Sequence, residues 1–209
     1  MSYCLEIIMK IFTFVGFTKH LDELDFDYVV VDKTFNDITE EQIKKYQEKI
    51  IWNETNTDIR WLRIAKQLLT IVNFAKNIED DIIAIIDSDL IIPNLRQIIP
   101  NERIFIPCYW LYYSWANEIR PFCSGTNYIF RKSLLPYLEY TINTYIENEY
   151  YKEIPVDIFI HNFVPHMNIL KLGTIHYVKT PDREIKMEFR YEDIPQIFKH
   201  IPEFVLLIG

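Results

Sequence analysis

The sequence predicts an α/β fold, a mixed but mostly parallel sheet flanked by helices, and three observations predict it. Ile82–Ile86 is an unbroken apolar run in which four of five residues are isoleucine, the composition of a strand buried on both faces of a parallel sheet. Ile11–Phe17 and Asp27–Val31 are two more strand-like segments, and Thr18–Asp25 between them has room only for a short helix or a tight crossover. Ile59–Ala75 instead repeats its apolar residues at helical spacing, with Leu62, Ala65, Leu69, Ile71 and Val72 expected to face the core.

The remaining elements follow in order. Thr39-Glu40-Glu41-Gln42 has the form of a capping box opening a helix that presents Ile43, Tyr46 and Ile50 on one face. Ile50–Trp52 is a short third strand, and after the polar loop Asn53–Asp58, Thr57 or Asp58 is expected to cap the helix to Ala75. Beyond the isoleucine run come a short Pro93–Ile99 segment and a strand over Arg103–Cys108. Tyr109–Trp115 then holds five aromatic residues in seven. So many Tyr and Trp side chains, each needing a polar partner, read either as a cleft wall that stacks on a sugar or base, or as a lid or homodimer surface.

Cys123-Ser124-Gly125-Thr126-Asn127 is a turn in which Gly125 permits positive φ or lets a ligand approach the backbone. It leads into a strand, Tyr128–Arg131, and a helix capped by Ser133 and running to about Tyr150. Asp157 lies in the first turn of a helix over Ile158–Val164, where an acidic residue also complements the helix dipole. Ile169–Leu172 and Thr174–Val178, the latter containing His176, are strands. Residues 188–209 read as a helical tail with a short apolar run, and residues 1–8 as an extension outside the core.

Composition narrows the function. The 209 residues suit one domain with a full core, and no linker or internal repeat divides them. Acidic residues outnumber basic ones, 30 to 22, which argues against a nucleic-acid partner. Three cysteines without a CxxC pair argue against a disulfide framework, so buried reduced thiols and a cytoplasmic location are expected. No segment has the roughly 20 apolar residues of a spanning helix. His20, His161, His166 and His200 stand without supporting constellations.

Chemistry concentrates where the isoleucine run stops. Asp87-Ser88-Asp89 sets two carboxylates one residue apart at the carboxyl end of a central strand, where open α/β sheets bind their ligands. Converging carboxylates repel, and a divalent ion that prefers oxygen donors, Mg²⁺ or Mn²⁺, relieves the repulsion. Arg60, Arg63 and Lys66 share one face at a helix start, where they oppose the dipole. A bound phosphate is one reason to keep them there, and a solvated basic face is the other.

This order of features resembles the GT-A-fold glycosyltransferases, which use nucleotide-diphosphate sugars and carry a DXD motif. The small size is similar to that of compact members found in viruses of thermoacidophilic archaea, and the likeness runs from Lys10 to about Lys179. It implies a hexosyltransferase activity toward an acceptor hydroxyl on a glycan, protein or lipid, with inversion or retention left open. It implies further that Phe17, Thr18 and Asp32 frame a UDP- or GDP-linked donor, with Arg60 and Arg63 near its ribose or diphosphate and Ser88 and Gly125 in the same site. Asp87 would meet the ribose, or the metal through water. Asp89 would coordinate Mn²⁺ or Mg²⁺ with His176 as a third protein ligand. Asp157 matches the position of the catalytic base, although Pro155-Val156 precede it where many members have a second acidic residue. Two other readings compete: a haloacid-dehalogenase-type phosphatase with its nucleophile in Asp-x-Asp, and a non-catalytic nucleotide-sugar-binding or scaffold protein that retains the fold.

Overall fold

A computed structural model describes residues 9–14, 18, 21–88, 90–91, 95–97, 105–113, 118–122, 126–163, 168–179, 184–186 and 204–207; it describes side chains for 9–14, 18, 21–88, 95–96 and 126–160. The strands of the first half form close to where the sequence predicts, whereas the first helix ends at Tyr46, so Ile50 opens the third strand and does not share that helix's face. Strand β1 (Met9–Phe14) pairs in parallel with β2 (Tyr28–Asp32), which pairs in parallel with β3 (Ile50–Asn53). Strand β4 (Ile82–Asp87) lies on the other side of β1, also parallel. Strand β8 (Tyr128–Arg131) closes this core sheet antiparallel to β4. The order β3-β2-β1-β4-β8 therefore turns back at β1, where the chain builds first toward β3 and then toward β4.

Helix α1 (Glu40–Tyr46) starts with the expected capping box. The Thr39 hydroxyl accepts from the Gln42 amide at 3.2 Å, and Gln42 Oε1 accepts from the Thr39 N–H at 3.1 Å. Helix α2 (Arg60–Ala75) departs from expectation in two ways. Ile59 occupies the cap position with no side-chain cap, because the Thr57 hydroxyl is taken by the Ile59 N–H at 3.2 Å. Its buried stripe is Ala65, Gln67, Leu68, Ile71, Val72 and Ala75, while Leu69 is only partly covered. The stripe is wide because α2 packs on both the sheet and the neighbouring helix α3 (Leu135–Glu147). Helix α3 is also uncapped by Ser133, which sits in a 3₁₀ turn, Lys132–Leu134, while Pro136 opens the helix.

Alternation along the strands sorts the two faces. Phe12, Phe14, Val30, Ile83, Ile85, Tyr128 and Phe130 join α2, α3 and helix α4 (Val156–Phe163) in one buried cluster. Toward the amino ends of the core strands, Arg96 binds both carboxylate oxygens of Asp25 at 2.7 and 2.8 Å and reaches Asp27 at 3.1 Å. Asp27 in turn accepts from the Ile11 N–H at 2.8 Å, so one guanidinium ties the Leu95–Gln97 turn to β1 and to the residues entering β2.

The second half extends the sheet. Strand β5 (Leu90–Ile91) follows the Asp-x-Asp segment. Strand β6 (Phe105–Tyr113) forms an antiparallel hairpin with β7 (Glu118–Phe122) and runs parallel to β9 (Asn168–Lys179). The aromatic run from Tyr109 to Tyr113 is therefore strand backbone, paired with β7 throughout and with β9 as far as Trp110. The two expected strands around Gly173 are one strand, β9. Strand β10 (Glu184–Lys186) pairs with β9, and β11 (Phe204–Leu207) bridges β9 to β5. The helical part of the expected tail lies outside the described residues.

Candidate functional site

Asp87 is the last residue of β4, directly opposite Phe14 at the end of β1. Both strands end at the point where the strand order turns back, which is the crevice where open parallel sheets take ligands. Because side chains alternate along a strand, Asp87 shares the face of Ile83 and Ile85, toward α2, α3 and α4. It is half-buried, and Ser88 follows in a turn. Asp89 lies outside the described residues, as do Phe17 and Gly125.

The turn before β8 holds this carboxylate. The Thr126 hydroxyl donates to Asp87 Oδ1 at 2.7 Å, and the Thr126 N–H approaches Oδ2 at 3.3 Å. Asn127 Nδ2 donates to Oδ2 at 3.1 Å, while Asn127 Oδ1 accepts from the Asp87 N–H at 2.7 Å. Asn127 thus grips both the backbone and the side chain of Asp87, and Thr126 and Asn127 are themselves buried. The sequence marks this turn for its glycine, whereas the two residues after the glycine carry the contacts.

Tyr128 is the next residue. It pairs with Ile85, is completely buried, and faces the same side as Asp87. Burial, then the negative charges of Asp157 and Asp87, push its phenol well above the ordinary tyrosine range. Asp157 stands in the first turn of α4 as expected. It also acts on Tyr145, whose phenol is raised by burial first and by Asp157 second. Asp87 and Asp157, 70 residues apart in sequence, therefore both act electrostatically on one buried tyrosine that sequence reasoning did not single out.

The other expected residues lie across β1. Thr18 is buried, with its N–H on Asp37 Oδ1 at 2.7 Å and its hydroxyl on the Asp37 carbonyl at 3.1 Å. Asp32, fully buried at the end of β2, accepts from the N–H groups of Thr34, Phe35 and Thr55 at 2.8, 2.9 and 3.1 Å. Its burial favours the neutral acid, but the Thr55 side chain and the backbone N–H groups of Phe35, Thr34 and Thr55 outweigh that and hold its pKa below the ordinary value. Stability from such a group is present above the unfolded-state pKa of about 3.9 and is lost as pH falls through the folded value. Asp32→Asn is expected to be less stable at neutral pH and to lose less stability between about pH 5 and pH 3, as read by urea unfolding across that range.

Arg63 stacks on the Phe35 ring at 4.6 Å and Arg60 on Trp61 at 4.9 Å, while Lys66 Nζ donates to the Thr55 carbonyl at 2.6 Å. Arg63 and Lys66 thereby gather over the loops that follow β2 and β3. Strands are spaced about 4.8 Å, so the ends of β2 and β4, on either side of β1, are roughly 10 Å apart. His176 belongs to β9, whose neighbour Tyr177 is in register with Val205 of β11. Val205 is in turn in register with Ile91 of β5, two residues beyond Asp89. Two strand spacings, about 10 Å, thus separate the His176 backbone from the strand that leaves the Asp-x-Asp segment.

The donors gathered on the end of β4 are oxygens, the Asp87 carboxylate and the Thr126 hydroxyl, which suits a hard divalent cation. Among the described residues no three His, Cys, Asp or Glu side chains form a complete metal cluster. No described helix is long and apolar enough to cross a membrane.

No family model matches the chain. It is similar in structure to a glycosyltransferase involved in glycosylation of the major capsid of PBCV-1, with a TM-score of 0.49 and 12% identity over 95% of this chain and 92% of that one. It is also similar to a CMP:2-keto-3-deoxy-manno-octonic acid synthetase complexed with CTP, with a TM-score of 0.46 and 10% identity over 78% and 89%. In sequence it is 30% identical over 122 residues to Uncharacterized protein ORF238 of Acidianus filamentous virus 2, spanning 56% of this chain and 50% of that protein. It is 93% identical to Uncharacterized protein 209 of Sulfolobus islandicus rod-shaped virus 1 over the full length of both. The chain belongs to the family of that rod-shaped virus protein.

Proposed function

We propose that the protein is a metal-dependent glycosyltransferase that moves a hexosyl group from a UDP- or GDP-linked sugar to an acceptor hydroxyl. The observation that carries this reading is Asp87, fixed by Thr126 and Asn127 at the carboxyl end of β4, where open α/β sheets bind their ligands. In this proposal Asp87 belongs to the nucleotide side of the crevice and Asp157 to the acceptor side. Asp87, Asp89 and His176 would hold Mn²⁺ or Mg²⁺, with Asp87 acting directly or through water. Bound there, the ion supplies Lewis-acid stabilisation of the departing diphosphate.

The protein's own groups do the rest. Ser88, Gly125, Phe17 and Thr18 line the donor side in this proposal, with Asp32 shaping the loop that carries Phe35. Arg63 and Arg60 contribute positive charge near the diphosphate or ribose. In an inverting reaction Asp157 takes the proton of the acceptor hydroxyl. In a retaining reaction it orients that hydroxyl instead, and the anomer of the product distinguishes the two.

The phosphatase alternative is weakened by topology, since its nucleophile ordinarily opens the core domain, whereas Asp87 ends the fourth strand. Turnover tests the choice. With Mn²⁺ and a panel of UDP- and GDP-hexoses, nucleotide diphosphate release is expected to depend on an acceptor. Hydrolysis of p-nitrophenyl phosphate that disappears in Asp87→Asn would favour the phosphatase instead. Nucleotide binding with no turnover of any donor would leave the scaffold reading.

A further inference from the structure

The pairing of β4 with β8 stops two residues short of the end of β4. Its last pair is Ile85 with Tyr128, and the same register carried on would set Asp87 opposite Thr126. Side chains take over from there. The Asp87 N–H, which in a continued ladder would meet a backbone carbonyl, donates to Asn127 Oδ1 at 2.7 Å. The other end of that amide, Nδ2, donates to Asp87 Oδ2 at 3.1 Å. Only the oxygen can accept and only the nitrogen can donate, so the two contacts fix which way the amide lies. The Thr126 hydroxyl holds the second carboxylate oxygen, Oδ1, at 2.7 Å. Thr126 and Asn127 are 4% and 2% exposed, so the packing around them restricts their rotation.

We infer that Asn127 is the positioning residue for Asp87 in the donor site. The role rests on the proposed transferase reading, in which Asp87 meets the ion directly or through water. A carboxylate at a strand end can turn about both of its side-chain bonds, and a ligand needs it at one setting. A donor on each oxygen fixes the plane of the Asp87 carboxylate. The contact to its N–H fixes the backbone from which that carboxylate projects. Asn127 makes one contact of each kind, which requires an acceptor and a donor on the same short side chain. An amide supplies both, whereas an ionised carboxylate of the same size could only accept. The donor it gives to Asp87 is also of the stronger, charge-assisted class.

The test titrates UDP, with and without Mn²⁺, into the intact chain and into Asn127→Ala, and measures the melting temperature of each. Removing a partner that orients a metal ligand costs about 10- to 100-fold, so the ion-dependent gain in UDP affinity is expected to fall by about tenfold or more. A smaller loss overturns the inference whatever the melting temperature does, because a purely structural role would move the melting temperature alone. If Asn127→Ala does not fold, the Asn127 side-chain amide decides, assigned through bonds by NMR in the unsubstituted protein. Its protons are expected to exchange slowly with solvent and to shift when UDP binds with Mg²⁺, which is diamagnetic. An amide that does not shift overturns the inference. Absence of ion-dependent UDP binding by the unsubstituted protein would overturn the transferase reading and the inference with it. An ion-dependent gain that survives in Asn127→Ala overturns the inference alone.

Discussion

Asp87→Ala is expected to remove the Mn²⁺-dependent part of UDP affinity and to destabilise the fold at the same time. Residues that hold or orient a metal ligand typically contribute about 10- to 100-fold to metal affinity, so a loss in that range or larger is expected for the ion-dependent gain. The stability cost has a separate origin. Without the carboxylate, the Thr126 hydroxyl and the Asn127 amide lose their acceptor inside a buried turn. Leaving such donors unserved costs about 1–3 kcal/mol. Asp87→Asn keeps an acceptor oxygen for one of them and is expected to recover part of the stability but none of the ion-dependent affinity. Calorimetric titration paired with urea unfolding separates the two effects. Equal ion-dependent gains in Asp87→Asn and the unsubstituted protein would show that Asp87 serves only the turn.

Asp157→Asn is expected to lower the transfer rate by about 10²–10⁴-fold, the usual contribution of a positioned general base. Its nucleotide affinity should be little changed, because Asp157 sits on α4 and not in the turn around Asp87. A fall in kcat with donor KM retained is the expected signature. A variant that loses donor affinity while keeping kcat would move Asp157 to the donor side. Retention of anomeric configuration in the product would instead make Asp157 an acceptor-orienting group.

The sheet was legible because its signals are local. The isoleucine run, the two N-terminal strands and the Thr39–Gln42 capping box each depend on a few adjacent residues, and each forms close to where it is expected. The faces of α2 were less legible. Periodicity gives one stripe, but a helix packed on both a sheet and α3 buries a wider one, so Leu68 and Gln67 go inside. The caps expected at Thr57 or Asp58 and at Ser133 do not form: the Thr57 hydroxyl accepts from the Ile59 N–H, and Ser133 lies in a 3₁₀ turn ahead of its helix.

The candidate site divides in the same way. Asp87 could be found because it interrupts an apolar strand, and Asp157 because it opens a helix. What joins them could not be found, since it depends on the antiparallel pairing of β8 with β4, a contact about 40 residues long in sequence. That pairing gives Thr126 and Asn127 their roles. Asp32 illustrates the opposite lesson: its position at a strand end suggests ligand contact, yet three backbone N–H groups already occupy it.

Nucleotide binding with and without Mn²⁺ tests the central claim most directly. Isothermal titration of the intact chain with UDP and with GDP is expected to show binding that Mn²⁺ strengthens at least about tenfold, a difference of 1.4 kcal/mol. The same titration on Asp89→Ala is expected to show no such gain. Binding that is indifferent to the ion, or no binding of either nucleotide, would contradict a metal-dependent glycosyltransferase built on Asp87-Ser88-Asp89.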